Sequence, residues 1–250
     1  LQGKITEAKG ERLIGTLRGF AELIKAYGVV DYKAVATSAM RDASNGPQII
    51  GKIKEETGIH VEIIDGKNEA AMVFSNHIEE LLNPKHAYLY IDVGGGSTEL
   101  TLYFNSKVIS ARSFNIGTVR MLLDKVEKEE WEEMKAWLKR NTAGIHPLHA
   151  IGSGGNINKI FKISGKKETK HLSYDKLKSI YEMLCSYTYQ ERIELLGMKP
   201  DRADVIIPAS KIFLTIMKNA DIEKVYVPQV GLSDGLVHQM YENYKADHRK

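Results

Sequence analysis

The sequence predicts an α/β protein built as two α/β domains with a cleft between them. Stretches with apolar residues at helical spacing alternate along the chain with stretches that have period two or a continuous apolar run. Glycine turns come directly after strands in both halves, at Gly94–Gly96 and at Gly152–Gly155. Between Ser113 and Ile116 the strand pattern gives way to a Glu-rich helical stretch, which sets the expected boundary: residues 1–113 form one domain and residues 114–250 the other.

Residues 11–27 set Leu13, Leu17, Phe20, Ala21 and Ile24 on one face of an amphipathic helix. A short strand is expected at 33–37, then a helix around Ile49, Ile50 and Ile53 that ends near Gly58. A strand at 60–64 and a helix from Asn68 to Leu82, closed by Asn83-Pro84, follow. Strands are expected at 86–93, 98–104 and 107–113, the last two joined by a turn at Asn105-Ser106. Helices come next at 116–126 and 129–140. The second has Glu129, Glu130, Glu132 and Glu133 in its first half and Lys139 and Arg140 at its end, which matches the helix dipole. Trp131, Met134 and Leu138 lie on its core stripe, and its charge run is a solvated face. A strand at 148–151 leads through Gly152-Ser-Gly-Gly-Asn156 into a helix ending at Lys162. A polar loop at 164–170, helices at 173–186, 189–196 and 201–219, a strand at 225–228 and a helix at 232–244 complete the chain.

The 250 residues are 43% hydrophobic and 27% charged, the composition of a soluble globular protein with ample core. A net charge of +3 is compatible with an anionic substrate but too weak for a nucleic-acid partner, which needs a clustered basic face. No apolar run approaches a membrane span, so no membrane partner is expected. The single cysteine, Cys185, permits no internal disulfide; it is expected to be buried and suits the reducing cytoplasm.

The segment from Tyr88 to Phe104 carries the strongest chemical signal. An apolar run ends in Asp92; Gly94, Gly95, Gly96 and Ser97 follow; then Leu100, Leu102 and Phe104 alternate with polar residues. Strand, glycine turn and strand make a hairpin whose tip offers bare backbone N–H groups to a phosphate. Asp92 and Glu99 flank it with hard carboxylate oxygens suited to Mg²⁺. A dinucleotide fingerprint is excluded, because its glycine loop must open a helix. A Walker loop is excluded because no Gly-Lys-Ser or Gly-Lys-Thr follows.

In open α/β sheets ligands bind beyond the carboxyl ends of strands. Three further segments place unusual residues there: Ser38 to Asp42, Asp65 to Glu69, and Gly152 to Asn156. Arg41 is either a bidentate phosphate clamp or the partner of Asp42 in a surface ion pair. Glu69, in the first turn of a helix, is either a general base toward water or a dipole-matching carboxylate. Gly152, Gly154 and Gly155 open a helix that an anion could cap, or form a plain tight turn. His146-Pro147-Leu148-His149 has a metal-like spacing, but Pro147 breaks the helix that would align the rings.

Five ordered segments, Ala36–Arg41, Glu62–Ala70, Ile91–Leu100, Ile151–Gly155 and Arg202–Ile206, together resemble the exopolyphosphatase / guanosine pentaphosphate phosphohydrolase (Ppx/GppA) family of the actin-like ATPase superfamily. Gly231-Leu-Ser-Asp-Gly235 adds to the resemblance, which spans nearly the whole chain. The family implies two ribonuclease-H-like domains with the active site in the interdomain cleft. It also implies Mg²⁺-assisted release of terminal orthophosphate from polyphosphate or guanosine pentaphosphate, and a homodimer. Carried over by position, Glu69 is the base, Asp92 and Glu99 serve metal or water, Gly94, Gly95, Gly96 and Ser97 form the phosphate loop, and Arg41 contacts phosphate. Asn68 replaces a second carboxylate common in the family. The family's first strand and first phosphate loop, Asp-x-Gly-Ser-Asn-Ser, lie before Leu1, so the first domain lacks its N-terminal strands and upstream residues are expected to supply them. The stretch from Lys125 to Glu129 is short for the family. Two other classes are weighed: a regulatory protein that binds the same ligand without turnover, and a sugar kinase or ATPase of the same superfamily.

Overall fold

The computed structural model describes residues 3–64, 83, 86–105, 107–165, 171–228 and 232–248. The helix expected from Asn68 to Leu82, and with it Glu69, lies outside the described residues. The chain divides into two compact units, Leu1–Glu69 and Ala70–Lys250.

The first unit contains helix α1 (Glu7–Ala26), strand β1 (Ala34–Ala36), helices α2 (Ser38–Arg41) and α3 (Gly46–Thr57), and strand β2 (Val61–Ile63). Strands β1 and β2 pair in parallel, with Ala34 opposite Val61 and Ala36 opposite Ile63. Ile14 and Ala21 of α1 pack with Ile49 and Ile53 of α3 and with Met40, Ile59 and Val61. Helix α3 stops because Gly58 takes a left-handed conformation (φ 72°), which glycine adopts without strain.

The second unit is built on one six-stranded sheet. Its strands are β3 (Ala87–Val93), β4 (Thr98–Phe104), β5 (Lys107–Phe114), β6 (Leu148–Ser153), β7 (His171–Ser173) and β8 (Lys224–Tyr226), in the order β5-β4-β3-β6-β8-β7. Strand β3 is antiparallel to β4 and parallel to β6. Buried on both faces, β3 reads as a continuous apolar run rather than an alternation. Between these strands run helices α4 (Thr118–Leu122), α5 (Lys128–Thr142), α6 (Gly155–Ile163), α7 (Tyr174–Ser186), α8 (Tyr189–Glu194), α9 (Pro200–Ala203) and α10 (Ile206–Asn219); α11 (Leu232–Asp247) follows β8. Leu89, Ile91, Leu100, Leu102 and Ala150 of the sheet pack into one core with Met134 and Leu138 of α5, Ile157 and Ile160 of α6, and Ile212, Phe213 and Ile216 of α10. Fully burying each such side chain contributes ~1.5–3 kcal/mol.

The structure corrects several expectations. The boundary expected at residues 113/114 falls at the end of β5, which pairs along its length with β4 in the sheet that also holds β6 and β8. The units instead part at Glu69/Ala70. The Glu-rich stretch that suggested a boundary is the solvated side of α5. The helix expected over 201–219 is two helices, α9 and α10, because Pro208 has no N–H to give to residue 204 and fits only the first turn of a helix. The helix expected over 116–126 contracts to the five residues of α4. Strand β7 falls between the loop expected at 164–170 and the helix expected from 173, and Ser173 ends the strand and caps α7 instead of starting the helix. Leu100 and Leu102 are fully buried, but Phe104 at the strand end is 41% exposed. Cys185, expected in the core, is exposed. Among the described residues no helix is long and apolar enough to cross a membrane.

Candidate active site

The sheet register brings four polar residues of the second unit into one transverse row. Ser113 of β5 lies opposite Glu99 of β4, Glu99 opposite Asp92 of β3, and Asp92 opposite Ser153 of β6. Directly paired residues of neighbouring strands project to the same face of a sheet, so two carboxylates stand side by side at the carboxyl end of β3. Glu99 Oε1 accepts hydrogen bonds from Ser97 Oγ (2.7 Å) and Ser113 Oγ (3.1 Å). Those hydroxyls fix the orientation of the carboxylate and leave Oε2 without a hydrogen bond among the described residues.

The Asp92 carboxyl is deeply buried, although the residue as a whole keeps some exposed surface. Burial first, and the Glu99 charge second, push its pKa up from 3.8 to about 6. Among the described residues no Lys, Arg or His forms an ion pair with Asp92 or Glu99. A pair of adjacent carboxylates without a counter-charge is the donor set of a hard divalent cation. No cluster of three or more His, Cys, Asp or Glu side chains that could hold a metal ion occurs among the described residues.

Past Asp92 the chain turns through the glycines. Gly94 N–H donates to Ser97 O (2.9 Å) and closes the hairpin tip. The amides of Gly95, Gly96 and Ser97 donate to no carbonyl or side chain among the described residues. Segment 116–120 packs behind this loop: a Cβ on Gly117 would sit 2.4 Å from Gly95 O and from Gly96 C. Gly117 is therefore required, and nothing in its sequence context announced it.

The second glycine turn reaches the same place. Gly154 follows β6 with φ +100°, and a Cβ there would lie 3.4 Å from Asp92 Oδ1. Gly155 opens α6, and the Arg202 guanidinium lies across it; a Cβ on Gly155 would be 2.6 Å from Arg202 Cζ and both terminal nitrogens. The Arg202 guanidinium makes no ion pair or hydrogen bond among the described residues. The sequence offered it only as part of a motif, since the contact depends on how α9 packs and not on local pattern. Gly152, expected with these two as an anion contact, is a strand residue of β6 whose open side faces Ile157, Phe213 and Val225, where a Cβ would come within 2.9–3.1 Å. Its lack of a side chain serves core packing.

Asp92, Glu99, Gly94–Ser97, Gly154 and Gly155 thus gather at one edge of the sheet. Arg41 belongs to the first unit. There its Nη1 donates to Ile64 O (3.0 Å), just past the carboxyl end of β2, and its Nε lies 3.6 Å from Asp42 Oδ1. The ion pair with Asp42 therefore forms, while the Ile64 bond orients the guanidinium at the strand ends.

Comparison with known proteins matches the profile of the Ppx/GppA phosphatase family to residues 1–244. The chain is 24% identical over 255 residues to exopolyphosphatase 1 of Mycobacterium bovis, covering 94% of this chain and 74% of that protein. It is likewise 24% identical over 255 residues to a guanosine-5'-triphosphate,3'-diphosphate pyrophosphatase of Photobacterium profundum, covering 96% of this chain and 50% of that one. The crystal structure of an exopolyphosphatase from Cytophaga hutchinsonii superposes with a TM-score of 0.79 at 26% identity, covering 97% of this chain and 85% of that chain. The carboxylate pair, the two glycine turns and these likenesses agree, and the chain belongs to the Ppx/GppA phosphatase family, hydrolases of the actin-like ATPase fold.

Proposed function

We propose that the chain hydrolyses the terminal phosphoryl group of inorganic polyphosphate or of a guanosine pentaphosphate and releases orthophosphate. The observation that carries this is the meeting of Asp92 and Glu99 with the open amides of Gly95, Gly96 and Ser97 at one sheet edge. A site for anion storage gains nothing from two carboxylates, which repel phosphate; a site for phosphoryl transfer needs them to hold a cation and to orient water. This favours turnover over the binding-only alternative.

In the proposed reaction the loop amides and the N-terminus of α6 hold oxygens of the terminal phosphoryl group, with Arg202 and Arg41 as guanidinium contacts. Water attacks phosphorus, the bond to the bridging oxygen breaks, and the shortened phosphate chain leaves. Glu69 accepts the proton that water loses, and Glu99 orients the water through its free oxygen. Asp92 and Glu99 would hold Mg²⁺, which supplies charge neutralisation on the transferring group when bound. A homodimer and a cytoplasmic setting are further expectations of the same proposal. Purified protein with Mg²⁺ and either substrate should release orthophosphate, and Glu69→Gln should lower kcat by ~10²–10⁴-fold. Turnover retained in that variant would remove Glu69 from its role, and no release from either substrate would end the proposal.

A further inference from the structure

The geometry points to Arg120 as a positioning residue that aims the amides of the triple-glycine loop; the inference rests on the loop being the phosphate cradle. Each carbonyl of the three glycines takes a donor from one short segment. Thr118 N–H donates to Gly94 O (3.0 Å), and Val119 and Arg120 N–H donate to Gly95 O (2.9 and 3.1 Å). The third carbonyl, Gly96 O, lies beyond the reach of that backbone and receives the Arg120 side chain instead, through Nε at 3.0 Å.

A peptide unit is planar and trans, so a carbonyl and the next residue's N–H point in opposite directions. Pinning the carbonyls of residues 94, 95 and 96 on the 118–120 side therefore turns the amides of Gly95, Gly96 and Ser97 away from it. Glycine has no side chain to hold such peptides in place and can flip them at little cost. The first two peptides are fixed by backbone donors, which no substitution other than proline removes. The third, which carries the Ser97 amide and leads into Glu99, depends on one guanidinium. Segment 113–120 is tied down along its length to bear this load. Ser113 Oγ bonds Glu99, the Asn115 backbone and side-chain amides both donate to the Glu130 carboxylate (3.0 and 2.8 Å), and Thr98 Oγ1 donates to Ile116 O. Val119 closes on Gly95, where a Cβ would be 3.3 Å away.

Three variants separate aiming from simple charge. Arg120→Gln keeps an N–H donor able to reach Gly96 O but loses the charge; Arg120→Lys keeps the charge without the planar Nε–H; Arg120→Met keeps only the stem. If Arg120 acts on the loop, Met lowers kcat/KM by ~100-fold, as expected for a small misplacement of a catalytic group, Gln stays within ~5-fold of wild type, and Lys falls nearer to Met. With ¹⁵N-glycine label, the Gly95 and Gly96 signals of the phosphate-free Met variant shift, and orthophosphate moves them only at concentrations ~10–100-fold higher than in wild type. A Lys variant as active as wild type beside an inactive Gln variant would overturn the inference and make Arg120 a charge on the substrate. So would unshifted glycine signals with unchanged phosphate affinity in Met. The phosphate-free spectra require no turnover, so a chain that released no orthophosphate would defeat the functional proposal and leave the loop inference to stand or fall by its signals.

Discussion

Asp92→Asn should make the protein more stable and inactive at once. The Asp92 carboxyl has its pKa pushed up from 3.8 to about 6, by burial and then by Glu99. Between those values the folded chain holds a proton that the unfolded chain releases, so stability falls as pH rises from about 4 to about 6 and stays low above that range. A shift of ~2 units at ~1.4 kcal/mol each gives an upper bound of ~3 kcal/mol, and the surface that Asp92 keeps exposed reduces this to ~2 kcal/mol. Asparagine has the same shape and no charge, so at pH 8 in EDTA the variant should melt ~4–8 °C higher than wild type. Mg²⁺ reverses the order. A cation binding only the folded state at 100 times its Kd adds ~2.7 kcal/mol to wild type and little to a variant that has lost a ligand. Thermal melts of both proteins at pH 8, with EDTA and with Mg²⁺, read all four values. A lower melting temperature for Asp92→Asn in EDTA would refute the buried-charge account, and an equal Mg²⁺ response would remove Asp92 from the cation site.

Two other perturbations test the scaffold. Gly117→Ala forces a methyl group to within 2.4 Å of Gly95 O, and since only backbone lies there the loop must move; kcat/KM should fall by ~100-fold, with ~1–3 kcal/mol lost in urea unfolding, and wild-type kinetics would refute the packing. His149, whose Nδ1 is buried without a partner, has its pKa lowered by burial and then by the charges of His86 and Lys224. The unfolded chain therefore takes up its proton first as pH drops through the ordinary histidine range, so stability should decline from pH 7.5 to 5.5, and His149→Phe should flatten that slope. An unchanged slope would assign it to other groups.

The parts of the site that were legible in the sequence are those encoded within one hairpin. The apolar run before Asp92, the glycines and the alternation through Leu102 fix a strand, a turn and a strand, and hence a register that sets Asp92 against Glu99. Parallel pairing of β3 with β6 joins residues about sixty apart, and no local pattern states it; the boundary expected at 113/114 put the two strands in different domains. Contacts made by packing stayed hidden for the same reason. Arg202 reads as a helix residue and Gly117 as an ordinary glycine until α9 and segment 116–120 are in place. The same stretch misled the domain assignment, because a change of texture after a strand looks alike whether the chain is leaving a domain or turning back against its own active loop. Strand β7, three residues long, is too short to show a period.

The two halves of this site have opposite electrostatic demands, and that opposition orders its assembly. Open amides and Arg202 attract phosphate; Asp92 and Glu99, ~5 Å apart at the backbone as paired strand residues, repel it. Without a cation, burial first and the Glu99 charge second push the Asp92 pKa up to about 6, which favours a proton on Asp92 below that pH. A protonated Asp92 is a poor ligand, so proton and cation compete for one carboxylate, and each unit of pH below 6 should weaken cation binding by up to ~10-fold. Phosphate binding inherits that dependence, since the anion meets two bare carboxylates unless the cation is already there. Orthophosphate affinity should therefore rise with Mg²⁺ in wild type and become independent of it in Asp92→Asn. Titration calorimetry with orthophosphate, with and without Mg²⁺, measures the coupling, and equal coupling in both proteins would show that the anion and the cation do not meet at Asp92.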